Sequence, residues 1–169
     1  MKILGWNCRG ICNASTVRAL KAQIKGSKPD LIFLSETKAL NKRMEVVKHS
    51  IKFDHMLVVE AKGYASGLCI MWKEGLSIRD VEFNKNLMAV MVSDSVCDWL
   101  FVGFYWPPYF SKKRKAWENL TALLESHQGP WICIGDFNLV LNDDETVGSK
   151  KGSASSSNFL KEFIFCFLF

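Results

Sequence analysis

A chain of 169 residues, 49% hydrophobic and 23% charged, has the size and composition of one soluble globular domain with a real core, which excludes a disordered protein. The net charge of +5 suits an anionic partner such as nucleic acid, although a mild basic excess also marks many ordinary proteins. No run approaches the ~18 uninterrupted apolar residues of a membrane span, and the N-terminal "MKILGWNCRG" is too short in apolar residues for a secretion signal, so an intracellular protein of the nucleus or cytoplasm is expected.

In chain order, Lys2 to Asn7 ("KILGWN") reads as a short strand followed by a turn at Gly10. Asn13 or Ser15 can cap a helix in which Val17, Leu20 and Ile24 recur at helical spacing, and "GSKPD" ends it. "LIFLSE", Leu31 to Glu36, is the continuous apolar run of a strand covered on both faces. A second helix falls within Asn41 to His49. From Met56 to Trp106 the pattern turns to strands, "MLVVEA", "GLCIMW", "LSIRDVEF", "LMAVMV" and "DWLFVGFYW", with the linkers "NKN" and "SDSVC" predicting antiparallel hairpins. Pro107 and Pro108 stop the last strand. Ser111 to Ser126 reads as a helix with Trp117, Leu120, Leu123 and Leu124 on one face, Gly129 and Pro130 turn the chain, and "WICIGD" is a final strand. "GSKKGSASSS" is a polar loop, and an amphipathic segment begins at Asn158. With no internal repeat or long linker, the pattern predicts one α/β domain of two packed sheets with helices outside.

Three strands end in acid or amide: Asn7, Glu36, and Asp136 with Asn138 beyond it. Strand ends are where α/β folds place ligands, so these groups are candidates for one site. If extended geometry persists through "GDFN", Asp136 and Asn138 project to one side and Phe137 anchors the other. Two carboxylates and two amides suit a hard cation such as magnesium, which prefers oxygen ligands, working on an anionic substrate. Taken singly, each of these residues is more simply a turn or helix cap.

Cys8, Cys12, Cys69, Cys97, Cys133 and Cys166 form no C-x-x-C pair and read as reduced core thiols, with a structural zinc site the less common alternative. "KKRK", Lys112 to Lys115, is either a DNA-backbone contact, a nuclear import signal or, more simply, a solvated helix face; Lys150 and Lys151 carry the first and last of these readings. The tryptophans fall mostly in apolar runs and read as core, with Trp106 the one placed for base stacking.

The ordered set "WNCRG" (6–10), "PDLIFLSETK" (29–38), "SGLCIMW" (66–72), "FYWPP" (104–108) and "IGDFN" (134–138) resembles the endonuclease/exonuclease/phosphatase superfamily, most closely the endonuclease domains of plant LINE-type non-LTR retrotransposons. The resemblance implies a four-layered α/β sandwich of two packed mixed sheets flanked by helices, incomplete at the C-terminus, and magnesium-dependent DNA nicking, with manganese as an alternative metal. It makes Glu36 the principal metal ligand, with Asn7 beside the metal and phosphate and Asp136 near it. Asp136 is then the residue that activates the attacking water, Asn138 a hydrogen-bonding partner of phosphate or water, and Tyr105 a contact to phosphate or leaving oxygen. Arg9, Lys38, Lys112 and Lys113 are the candidate phosphate and nucleic-acid contacts. Relatives of the apurinic/apyrimidinic type carry an Asp where this chain has Arg9, which favours the retrotransposon branch.

The resemblance also implies a closing Ser-Asp-His strand, and the chain contains no such tripeptide; His49, His55 and His127 sit in helix or loop contexts and read as structural or surface residues. With the apolar "FIFCFLF" at its end, the chain reads as a truncated domain, 1–163, followed by an apolar tail, 164–169. DNA is the expected partner, without an obligate protein partner but with ancestral fusion to a reverse transcriptase. The alternatives are an inactive remnant that binds metal or nucleic acid weakly, and a phosphatase or RNA nuclease of the same superfamily.

Overall fold

The computed structural model describes residues 1–61, 67–107 and 110–137, with the backbone alone for 110–112. The elements, all within the compact unit Met1–Asp136, are in chain order β1 (Ile3–Asn7), α1 (Ala14–Ser27), β2 (Leu31–Ser35), α2 (Asn41–Ile51), β3 (His55–Val59), β4 (Leu68–Trp72), β5 (Ser77–Asn84), β6 (Leu87–Ser93), β7 (Asp98–Tyr105), α3 (Phe110–Ser126) and β8 (Trp131–Asp136). Asn138, the polar loop, the segment from Asn158, Cys166 and the apolar tail lie outside the described residues.

Among the described residues the strands form two mixed sheets of four, β1-β2-β4-β3 and β5-β6-β7-β8. In the first, β1 and β2 are parallel and the other pairs antiparallel. A parallel pair needs a crossover, which α1 supplies. Asn13 Oδ1 accepts from the Ser15 N–H at 3.0 Å to start this helix, and Lys28 ends it in the left-handed region at φ 49° with its N–H on Ile24 O. In the second sheet, β5, β6 and β7 form the hairpins expected from "NKN" and "SDSVC", and α3 connects β7 to its parallel neighbour β8.

Strand alternation sorts the core into layers. Ile32, Leu34, Cys69 and Met71 pack with Leu20 of α1 and with Met44, Val47 and Ile51 of α2 on one face of the first sheet. Leu31, Phe33, Leu68 and Ile70 pack on its other face against Met88, Val90, Val92, Phe101 and Tyr105 of the second sheet. Both faces of β2 and β4 are therefore covered, and every residue in them is buried, the physical reason "LIFLS" and "LCIMW" lack alternation. On α3, Ala116, Trp117, Leu120, Leu123 and Leu124 are buried. The fold is the expected mixed α/β arrangement of two packed sheets with helices.

Several expectations are corrected. Trp106 is 0% exposed, stacked on Trp117 at 5.1 Å between ring centroids, and so cannot stack a base. Cys12 and Cys97 are exposed, so only some of the thiols belong to the core; all five described cysteines are free. His55 begins strand β3, where it stacks on Trp72 and bonds Glu74 at 3.0 Å. Among the described residues no helix is long and apolar enough to cross a membrane.

Candidate active site

The parallel pairing of β1 and β2 continues past their ends. Cys8 N–H donates to Ser35 O at 3.1 Å, Gly10 N–H to Glu36 O at 2.8 Å and Ile11 N–H to Thr37 O at 2.9 Å, tying the two strand-end loops together. Within this ladder Arg9, Glu36 and Lys38 are left-handed, with φ of 47°, 52° and 49°. Such backbone costs a non-glycine residue about 1 kcal/mol or more and concentrates at functional sites. At Glu36 its effect is visible. Ser35 closes β2, and simple alternation would send residue 36 to the helix-covered face with Leu34; the left-handed turn instead brings its carboxylate to Asn7 and Tyr105.

Four side chains from four chain segments meet there. Asn7 Nδ2 donates to Asp136 Oδ2 at 2.5 Å and to Glu36 Oε1 at 3.2 Å, and the Tyr105 hydroxyl donates to Glu36 Oε1 at 3.1 Å. Asn7 Oδ1 accepts from Arg9 N–H at 3.1 Å, which fixes the amide's orientation. Lys38 Nζ lies 3.7 Å from Glu36 Oε2, an ion pair half open to water and so weak. The structure thus brings together Asn7, Glu36, Tyr105 and Asp136, with the Lys38 ammonium and the Arg9 backbone N–H beside them. Lys113 is half-buried, its ammonium 5.2 Å from the centroid of the Trp106 ring; the Lys112 side chain and Asn138 lie outside the described residues.

Two residues that hold the site were not read from the sequence. Asn86 in the β5–β6 turn is buried, donates from Nδ2 to Tyr105 O at 3.0 Å and accepts from Tyr105 N–H at 2.8 Å through its own carbonyl, locking the end of β7. A buried Asn is the signal, but from sequence alone it is indistinguishable from a turn residue. Cys8, in the "WNCRG" segment, donates its thiol to Ser35 O at 3.2 Å, and burial above all pushes that thiol up to about 11. It is an anchor under the site and not a nucleophile.

Chemically, the cluster offers two carboxylates that share one amide donor, plus a phenol. Among the described residues no three or more His, Cys, Asp or Glu are grouped so as to hold a metal ion. The two carboxylates remain a fit donor set for magnesium, which uses one or two carboxylates and keeps its waters.

The chain belongs to the endonuclease/exonuclease/phosphatase family, whose model matches residues 4–167. A search of the curated proteins finds no match. Among solved structures the fold is similar to the AP endonuclease LMAP of Leishmania major (TM-score 0.67, 18% identity, covering 97% of this chain and 66% of that one). It is also similar to the 3′ phosphatase NExo of Neisseria bound to a product DNA hairpin (0.71, 14%, 98% and 70%) and to TDP2 of Caenorhabditis elegans (0.59, 15%, 89% and 50%). The chain thus spans between 50% and 70% of the length of these proteins.

Proposed function

We propose that the strand-end cluster hydrolyses phosphodiester bonds with a divalent cation, magnesium by preference, and that its substrate is DNA. The observation that carries this is the meeting of Asn7, Glu36, Tyr105 and Asp136, two residues from each sheet, in one hydrogen-bonded group. Glu36 is the residue that would hold the cation, with Asp136 and the Asn7 amide beside it, and the cation supplies charge neutralisation at the phosphate. The Asp136 carboxylate, oriented by Asn7, takes a proton from the attacking water as its oxygen bonds to phosphorus; the bond to the leaving oxygen breaks, and that oxygen takes a proton from solvent water. In this reading the Tyr105 hydroxyl turns from Glu36 to a phosphate oxygen, and Arg9 and Lys38 supply cations for the phosphate. A DNA substrate is supported by the solved neighbour holding a product DNA hairpin. The finer reading, a nicking endonuclease of retrotransposon origin, rests on "WNCRG" and "FYWPP" and on Arg9 in place of an acid.

The test is nicking of supercoiled plasmid by the purified chain in magnesium and in EDTA, beside Glu36→Gln and Asp136→Asn. Magnesium-dependent nicking abolished by both substitutions is the expected result. Release of phosphate from 3′-phosphorylated DNA without strand cleavage would move the chain to a phosphatase role, and a folded protein that turns over neither substrate would overturn catalysis.

A further inference from the structure

The catalytic contacts span two sheets, so something must fix how far apart those sheets stand at the site. Along β1 the side chains at 3, 5 and 7 face the second sheet, and along β8 those at 134 and 136 face the first. Register places Gly5 beside Phe33 and Asn7 beside Ser35 in one sheet, and Gly103 beside Ile134 and Tyr105 beside Asp136 in the other. One rung below the polar cluster, each sheet therefore presents one glycine and one large apolar residue.

These four interlock. A Cβ added at Gly5 would overlap Cγ2 of Ile134, and a Cβ added at Gly103 would overlap the Phe33 ring. Each large residue fills the space left by the missing side chain opposite. Directly above the Gly5–Ile134 contact sits the bond from Asn7 to Asp136, and above the Phe33–Gly103 contact, one residue past Ser35, sits the bond from Tyr105 to Glu36. Glycine weakens a strand interior and is expected there only where something approaches closely, which is the case at both positions.

We infer that Gly5 with Ile134 and Phe33 with Gly103 are positioning residues, a paired spacer that sets the gap between the sheets and so brings the two halves of the site into contact. The inference rests on the phosphodiesterase reading of the same site, but its geometric half can be read without turnover. A misplacement of about 1 Å in a catalytic group can cost on the order of a hundredfold in rate, so a methyl group of error in the spacer is large enough to detect.

The position of Ile134 Cγ2 relative to Gly5 supplies the experiment. Gly5→Ala wedges the gap, Ile134→Ala empties it of three carbons, and the two together put one of those carbons back from the opposite strand. Two readouts are taken on the full 169-residue chain: kcat and KM for plasmid nicking, and the NMR shift of the Asn7 side-chain amide protons in metal-free buffer, which reports the short bond to Asp136. Each single substitution is expected to lower kcat about tenfold or more at unchanged KM and to shift the Asn7 amide, while the double substitution returns both toward wild type. A folded single variant with wild-type kcat and amide shift, or a double variant no closer to wild type than Ile134→Ala, would overturn the inference. Should Gly5→Ala fail to fold, Ile134→Ala against the double variant decides by the same criteria. If the wild type nicks nothing, the proposed function fails by itself and the amide shifts still decide the spacer.

Discussion

Asn7→Ala removes a side chain that bonds both carboxylates. The lost interactions are the 2.5 Å bond to Asp136 Oδ2, the 3.2 Å bond to Glu36 Oε1 and the 3.1 Å bond accepted from Arg9 N–H. A hydrogen bond to a charged acceptor contributes about 1.5–3 kcal/mol, and a part-buried one sits at the low end. Counting the short bond at about 1.5 kcal/mol and the longer one at a few tenths gives a loss of about 2 kcal/mol, which for a chain of this size is a fall in Tm of about 4–8 °C. Urea unfolding in EDTA, followed by tryptophan fluorescence, measures it. A cycle with Asp136→Ala should return a coupling of about 1–2 kcal/mol between the two positions. A loss under about 0.5 kcal/mol with no coupling would refute the claim that Asn7 joins the two sheets at the site.

Asn86→Ala leaves the buried Tyr105 carbonyl without its side-chain donor, and a loss of about 1–3 kcal/mol is expected in the same urea assay. Lys28→Gly relieves the left-handed cap of α1, at φ 49°, and should stabilise the protein by about 0.5–1 kcal/mol, read as a rise in the urea midpoint at unchanged slope. Burial raises the Cys8 thiol from 9.0 to about 11, so its contribution is constant below pH 9 and is lost as pH rises toward 11, because only the unfolded chain ionises there. That is about 1.4 kcal/mol per pH unit, and Cys8→Ala should flatten the alkaline slope of stability by that amount.

The strand ends were legible because each ended an apolar run on an acid or amide, and "LIFLS" revealed its double burial by lacking alternation. The hairpins were legible from linkers too short for any crossover. The turn at Glu36 was not: nothing in "SETK" announces a left-handed glutamate, since the conformation is imposed by the ladder from Gly10 and Ile11. The burial of Trp106 is hidden in the sequence because "FYWPP" puts it one residue from Tyr105, while alternation sends it away from the site toward Trp117. Gly5 and Gly103 looked like gaps in two strands, and only the facing sheet gives them a purpose.

Manganese titration followed by electron paramagnetic resonance shows most directly whether these strand ends form one cation site, and assumes no substrate, because manganese shares magnesium's preference for carboxylate oxygen. Wild type beside Glu36→Gln is the comparison. Saturable binding to the wild-type chain, weakened about tenfold or more by the substitution, is expected. Binding that Glu36→Gln leaves unchanged, or a folded wild-type chain that holds no manganese, would contradict the single cation site.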